Sequence, residues 1–220
     1  MTRDTMPAVA RFWNAAADEF DSIYSGAGKN KFTRALDCVF RRDMYQRFDW
    51  VMARAGDLRG KTVCDAGRGS GRFVLEFARR GAERIAGIDI APEMIRRARA
   101  LVQSDGVAKQ CEFITGDVLD WSADHSFDLT IAIGLWDYIA DPRERLQVIR
   151  RLTRGVFLSA WPRLWTWRMP VRKLRLGYFR GCPVYFFREN RVRRLLESSG
   201  FEVTRFETVG KLFCVEARPR

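Results

Sequence analysis

The spacing of apolar residues along the chain changes near residue 58. From Pro7 to about Asp57, apolar side chains recur at three- and four-residue intervals, which predicts helices. The glycine-containing stretch 25–28 separates an earlier helix from a later one. Beyond residue 58, short apolar runs alternate with amphipathic stretches, as in a parallel sheet covered by helices. The pattern predicts a helical N-terminal cap over 1–57 and an α/β core over 58–220.

The core pattern predicts seven strands and four helices. The strands are Thr62–Cys64, Arg84–Ile88, Cys111–Ile114, Leu129–Ile133, Val156–Ala160, Glu202–Thr208 and Leu212–Ala217, and the helices are Gly71–Arg80, Pro92–Gln103, Pro142–Leu152 and Asn190–Ser198. Residues 209–211 are short enough for a hairpin, and a hairpin cannot join parallel strands. We therefore expect a mostly parallel sheet with an antiparallel last strand and helices on both faces.

A glycine-rich run, Asp65–Gly71, follows the first predicted strand, and Asp89 follows the second. Such a turn lets backbone approach a ligand closely, and an acid about 20 residues further on can bind ribose hydroxyls. The glycine spacing is GxGxG, whereas nicotinamide dinucleotides favour GxGxxG. Asp65 would repel a pyrophosphate and attract a cationic amino-acid group. S-adenosylmethionine has that cation and no phosphate, so it is the expected cofactor. A turn that merely packs a helix on the sheet is the alternative, and the two acids disfavour it.

Three segments together resemble the class I methyltransferase family. They read VCDAGRGSGRFVLEFARRGAERIAGIDIAPEMIRRARA, GDVLDW and FDLTIAIGLWDYIADP, and the resemblance extends from Lys61 to the C-terminus. It implies a Rossmann-like α/β fold and methyl transfer from S-adenosylmethionine.

The resemblance also implies where the methionine and ribose parts of the cofactor bind. Gly67 and Gly69 would line the methionine part, and Asp65 would reach its amino group directly or through water. The carbonyl near Ile133 or Gly134 would complete the amino-group site, and Asp89 would hold the ribose.

On the adenine side, the resemblance assigns Ile90 to packing against the ring. Asp117 would accept from the adenine amino group, and the Val118 amide would donate to the ring. Tyr24, in the segment DEFDSIYSG, would be a lid residue, although it could equally pack within a helix. Arg68 departs from the family pattern, in which a small residue is commoner.

The acceptor side follows the fourth strand and reads Gly134–Tyr138. It lacks the Pro-Pro-aromatic and Pro-Cys motifs of nucleic-acid methyltransferases, and is similar to small-molecule enzymes acting on quinones and porphyrin precursors. Asp137 or Tyr138 could take or relay a proton from a hydroxyl acceptor. The alternative makes Asp137 a polar loop residue and Tyr138 a packing residue. His125 lies in a polar loop and is expected to be solvated.

A basic, aromatic stretch at about 163–188 sits where this family often inserts a substrate-covering element. It could form a pocket for an aromatic anion, a membrane-surface patch or a stacking surface for single-stranded nucleic acid. Ordinary core packing of its rings is the remaining alternative.

Composition bounds the environment and the partners. The chain has 39 basic and 27 acidic residues, a formal charge of +12, which fits nucleic acid, anionic lipid or acidic small molecules, or simply a coding bias. Five cysteines without a CxxC pair favour neither a disulfide framework nor a metal site, and the N-terminus does not read as a targeting peptide, so we expect a cytoplasmic protein.

The expected function is methylation of a hydroxyl, carboxyl or amine of a small anionic or aromatic metabolite. An RNA methyltransferase and a non-catalytic cofactor-binding module are the alternatives.

Overall fold

The computed structural model describes residues 6–25, 44–67, 69–164 and 181–220, with side chains of the first helix described up to residue 16. The strands are β1 Thr62–Ala66, β2 Arg84–Asp89, β3 Cys111–Thr115, β4 Phe127–Ile133, β5 Thr153–Pro162, β6 Phe201–Val209 and β7 Leu212–Pro219. The helices are α1 Met6–Ser25, α2 over 44–54, α3 Arg72–Arg79, α4 Pro92–Ser104, α5 Arg143–Leu152 and α6 Glu189–Ser198.

These strands form one sheet in the order β3-β2-β1-β4-β5-β7-β6. β7 is antiparallel to both of its neighbours, and the other described pairings are parallel. The predicted doubly wound sheet with a reversed last strand is confirmed. The chain order changes direction between β1 and β4, and the carboxyl ends of strands at such a point open a crevice that binds ligands.

The predicted strands are correct in place but too short. β5 was expected at Val156–Ala160 and spans Thr153–Pro162, because Thr153 already pairs with Phe127 directly after α5 ends. The three residues Thr153–Gly155 are polar or small, so the apolar pattern does not mark them as strand. Backbone pairing with β4 decides their conformation.

Helices cover both faces of the sheet and bury two separate layers of apolar side chains. One layer packs α5 and α6 on the sheet, and includes Phe157 and Phe201, whose ring centroids are 5.0 Å apart. The other packs α2 and α3, and includes Val51 and Phe77, which have no exposed surface. Thus α2, within the predicted N-terminal cap, contributes directly to the core.

α1 lies beside the carboxyl edge of the sheet. Trp13 packs against the cluster of Ala91 and Met94 at the start of α4, and it meets Tyr138, just after β4, with ring centroids 5.7 Å apart at 88°. The backbone amide of Glu93 donates to Asn14 Oδ1 at 3.1 Å, so α1 also binds the start of α4. α1 has 20 residues, yet no helix in the described part of the chain is long and apolar enough to cross a membrane.

The described cysteines are free, and Cys64 and Cys214 have no exposed surface. Burial raises the pKa of the Cys64 thiol well above its ordinary value and that of Cys214 to about 12. Both thiols therefore stay protonated and pack as small apolar groups, as expected from their positions in strands.

Asp128 connects three strands at the amino edge of the sheet, opposite the crevice. Its Oδ2 accepts from the Thr62 amide at 2.9 Å and from Thr62 Oγ1 at 3.1 Å. The Arg154 guanidinium donates to both of its oxygens, at 2.9 and 2.8 Å. These donors, Arg154 first, lower the pKa of Asp128 from 3.8 to about 2.

Asp128→Asn is expected to lower the free energy of unfolding by about 1 kcal/mol at pH 7, because an amide loses the charged pairing. Since the folded pKa lies below the unfolded one, the contribution of Asp128 is complete above about pH 4 and is lost as pH falls through about 2. Urea unfolding at pH 7 and pH 3 measures this loss. Asp57→Asn, which breaks an exposed pair with Arg59, is the control and should leave the midpoint unchanged. Equal effects of the two substitutions at both pH values would contradict the assignment.

Candidate functional site

The crevice gathers acidic side chains from three adjacent strands at one edge. Asp65 is the second-to-last residue of β1, Asp89 ends β2, and Asp117 follows β3 by two residues. The parallel register fixes their relative positions along the strand direction, with Asp89 opposite Thr115 and Asp65 opposite Gly87. The residues predicted from sequence for the cofactor site on these strands are therefore adjacent in space.

The glycine turn after β1 is held by the end of β2. The Gly67 amide donates to the Ile88 carbonyl at 2.9 Å, and the Gly69 amide donates to Asp89 Oδ2 at 2.8 Å. The other oxygen of Asp89 accepts from the Ala91 amide at 2.9 Å. Asp89 thus fixes the turn from both of its oxygens.

Gly67 allows the turn to approach the segment after β4. Its φ is +76°, and a Cβ at this position would lie 3.1 Å from both Cβ and Cδ1 of Leu135. A side chain there would be strained in its backbone and crowded by Leu135. The glycine therefore allows the turn after β1 to pack closely against the segment that follows β4.

Asp65 places a negative charge at the floor of the crevice. It is buried, with 1 % of its surface exposed, and lies between the paired positions Gly87 and Ile131. Burial, followed by the neighbouring carboxyl group of Asp65, raises the pKa of the Cys64 thiol. A buried carboxylate of this kind favours a cationic group over an anionic one.

Arg47, on α2, brings the opposite charge to the same edge. Its Nη1 atom lies 3.4 Å from the position that a Cβ on Gly134 would occupy, just beyond β4. Within the described part of the chain no carboxylate forms an ion pair with it. Arg47 was not predicted from the sequence as a site residue. Its position could have been inferred from helical spacing, because it lies on the same face of α2 as the buried Trp50 and Val51, three and four residues further on.

The predicted adenine side of the site centres on Asp117. It precedes a three-residue helical turn, Val118–Asp120, and its side chain accepts from the Leu119 amide at 3.1 Å. Arg145 of α5 donates to both oxygens of Asp117. Val118 is 4 % exposed and Ile90 is half-buried, so an apolar surface accompanies the acid.

The two predicted catalytic residues lie in a helical turn, Trp136–Tyr138, directly after β4. Asp137 is 5 % exposed, and its carbonyl accepts from the Tyr185 amide at 2.8 Å. Tyr138 is 8 % exposed and packs with Cys182. Both are at the crevice edge and well packed, and their catalytic role stays a prediction.

Other predicted positions fall outside the site or outside the described residues. His125 precedes β4 and so lies at the opposite edge of the sheet, where it packs on Phe127 with ring centroids 4.7 Å apart. It is half-buried rather than solvated, because its ring covers Phe127. Tyr24 falls within α1, but its side chain lies outside the described residues, as do Arg68 and residues 165–180.

A sheet with a glycine turn after β1 and acids after the next two strands defines the Rossmann-like class of cofactor-binding proteins. The chain belongs to the methyltransferase domain family, which residues 57–177 match. This confirms the prediction of a class I methyltransferase that depends on S-adenosylmethionine.

Individual similarities agree with the family. The chain is 30% identical over 168 residues to a ubiquinone biosynthesis O-methyltransferase from Xanthomonas oryzae pv. oryzae (strain PXO99A), covering 72% of this chain and 66% of that protein. It is 27% identical over 146 residues to the tRNA 5-carboxymethoxyuridine methyltransferase of Escherichia coli (strain K12), covering 66% of this chain and 52% of that protein. The chain thus spans between about half and two thirds of these relatives.

The fold is also that of a solved structure, magnesium protoporphyrin IX methyltransferase from Synechocystis PCC 6803 with bound SAH. The TM-score is 0.76 at 22% identity, covering 96% of this chain and 98% of that chain.

Gly67→Ala is expected to weaken binding of S-adenosylhomocysteine by about tenfold, because the added methyl group displaces Leu135 and the turn. Gly60→Ala is the matched control: its φ is +67° and no atom lies within 4 Å of the added Cβ. Both substitutions should lower the free energy of unfolding by about 1 kcal/mol through backbone strain. Calorimetric titration with S-adenosylhomocysteine separates the two effects, and equal affinities in both variants would contradict a role of this turn in the site.

Proposed function

We propose that the protein transfers a methyl group from S-adenosylmethionine to an oxygen of a small anionic or aromatic metabolite, a hydroxyl in the first instance. The observation that carries the proposal is the charge pattern of the crevice, with buried Asp65 and half-buried Arg47 at its floor. The O-methyltransferase activity named for the Xanthomonas relative supports an oxygen acceptor. Carboxyl and amine groups are the alternative acceptors.

The amino-acid end of the cofactor is zwitterionic, and the crevice offers a partner for each charge. Asp65 and the carbonyl of Ile133 receive the ammonium group, directly or through water. Arg47 receives the carboxylate, since its guanidinium reaches the strand end at Gly134. The amides of the glycine turn lie between these partners and line the methionine chain.

The nucleoside end lies along β2 and β3. Asp89, which ends β2 beside the glycine turn, accepts from the ribose hydroxyls. Ile90 packs against the adenine ring, Asp117 accepts from its amino group, and the Val118 amide donates to a ring nitrogen.

When bound, S-adenosylmethionine supplies a methyl group on a sulfonium, which is already activated for displacement. The protein's part is to hold the acceptor oxygen in line with the methyl carbon at near-attack distance. As the oxygen forms its bond to carbon, the carbon–sulfur bond breaks, sulfur keeps the electron pair, and the acceptor proton must leave. Asp137 or Tyr138, in the turn after β4, takes or relays that proton.

Arg47→Met tests the proposed contact between Arg47 and the carboxylate of the cofactor. The variant is expected to lose about tenfold in affinity for S-adenosylhomocysteine, because a charge-assisted contact to the carboxylate disappears. Its affinity for 5′-methylthioadenosine, which has no amino-acid group, should not change. Calorimetric titration of both ligands into both proteins gives the comparison.

Arg54→Met is the matched control, since Arg54 is on the same helix and donates to Glu207 at 3.0 Å, away from the crevice. It should bind both ligands as the wild-type protein does. An unchanged affinity for S-adenosylhomocysteine in Arg47→Met would exclude the carboxylate contact, whereas equal losses for both ligands would indicate a general disturbance.

An RNA substrate is the second candidate, favoured by the charge of +12 and by the tRNA methyltransferase among the relatives. The two candidates differ in ionic-strength dependence, because RNA binding through phosphates weakens steeply with salt.

We expect methyl transfer from labelled S-adenosylmethionine to phenolic or carboxylic acceptors at 50 and 200 mM salt, and no binding to transfer RNA at the lower salt. Saturable, salt-sensitive RNA binding with label in the RNA would overturn the small-molecule proposal. Cofactor binding without turnover over a broad acceptor panel would favour a binding module.

We place the reaction in the cytoplasm, because the described cysteines are free in a chain that has no paired-cysteine motif.

A further inference from the structure

Arg145 is a buried charge on an apolar helix face. Its side chain is 1 % exposed, and it shares the inner face of α5 with Val148 and Ile149. Burying a guanidinium is costly, and an apolar residue of similar volume is often at least as stabilising. Helix packing alone therefore does not account for an arginine at this position.

The guanidinium of Arg145 binds Asp117 with two parallel hydrogen bonds. Nε donates to Oδ1 at 3.0 Å, and Nη2 donates to Oδ2. The Leu119 amide adds a third donor to Oδ1, at 3.1 Å. Three donors from two elements fix both the plane and the direction of this carboxylate, which is itself 12 % exposed.

This arrangement also fixes what Asp117 can recognise. A carboxylate paired with arginine is an acceptor only, so its remaining lone pairs can receive an amino group but repel a carbonyl oxygen. Adenine has an amino group at position 6, whereas hypoxanthine has an oxygen there. A rigid, charged acceptor at this place discriminates between the two bases.

The geometry points to Arg145 as a positioning residue that holds Asp117 as a fixed acceptor and so makes the site selective for 6-amino purines. The inference rests on the proposed contact between Asp117 and adenine. Arg145 acts from behind the carboxylate and does not itself touch the ligand.

The test compares S-adenosylhomocysteine with S-inosylhomocysteine, which carries a 6-oxo group, by calorimetric titration. The wild-type protein is expected to prefer the adenosyl ligand by about tenfold or more, the worth of one hydrogen bond to a charged group. In Arg145→Met the preference should fall to within about threefold, because the carboxylate loses its orientation. Arg145→Lys, which keeps the charge but not the two-pronged geometry, should be intermediate.

Arg150→Met is the matched control. Arg150 is on the same helix, and it donates to the carbonyls of Gly200 and Arg220, at 2.9 and 2.6 Å, instead of to Asp117. It should lose stability but keep the wild-type preference, so the ratio of the two affinities separates positioning from mere support of the fold.

A wild-type ratio retained in Arg145→Met would overturn the inference, and a wild-type ratio in Arg145→Lys would do so if the methionine variant does not fold. A wild-type protein that binds both ligands equally would remove the contact of Asp117 with adenine and this inference together. If the wild-type protein does not bind S-adenosylhomocysteine at all, the proposed cofactor site itself is contradicted. Asp89→Ala is the reference for a general loss of cofactor binding, because it should weaken the binding of both ligands by the same factor.

Discussion

The carboxylate of Asp89 holds the turn on which the whole crevice depends. By accepting from the Gly69 amide at 2.8 Å and from the Ala91 amide at 2.9 Å, it joins the loop after β1 to the start of α4. Three glycines with positive φ, at 67, 69 and 71, let the chain turn there without side chains in the way. The residue that fixes this turn is thus also the proposed ribose ligand.

Residues of both signs lie near the end of this turn, as the proposed zwitterionic end of the ligand requires. Asp65 is 1 % exposed at the end of β1, and Arg47 approaches Gly134 at the end of β4. In surroundings of low polarity, a contact between opposite charges is stronger than the same contact in water. For the proposed ligand, these local charges therefore matter more than the net charge of +12 of the whole chain.

The sequence predicted what depends on local pattern and missed what depends on distant packing. The places of the strands, the reversed β7 and the positions of Asp65, Asp89 and Asp117 at the strand ends follow from periodicity, a three-residue connection and the glycine motif. Arg47 and Arg145 were not predicted as site residues, because each meets the crevice only after its helix packs on the sheet. Arg145 lies 28 positions from Asp117, and no spacing rule joins them. The polar start of β5 at Thr153 was missed for the same reason: its partner β4 decides it.

Trp13 shows how the N-terminal helix completes the site from the outside. Its ring packs against the cluster of Ala91 and Met94 at the start of α4, and it meets Tyr138, just after β4, at 5.7 Å between ring centroids. The start of α4 follows β2, so these contacts lie at the borders of the crevice on either side of β1. A single ring that packs on both borders couples them, since a shift of either border must displace Trp13 or lose its packing. Asn14, the next residue, accepts from the Glu93 amide at 3.1 Å and holds α1 against the first turn of α4. The N-terminal helix therefore packs on both borders of the crevice and limits how far either can move.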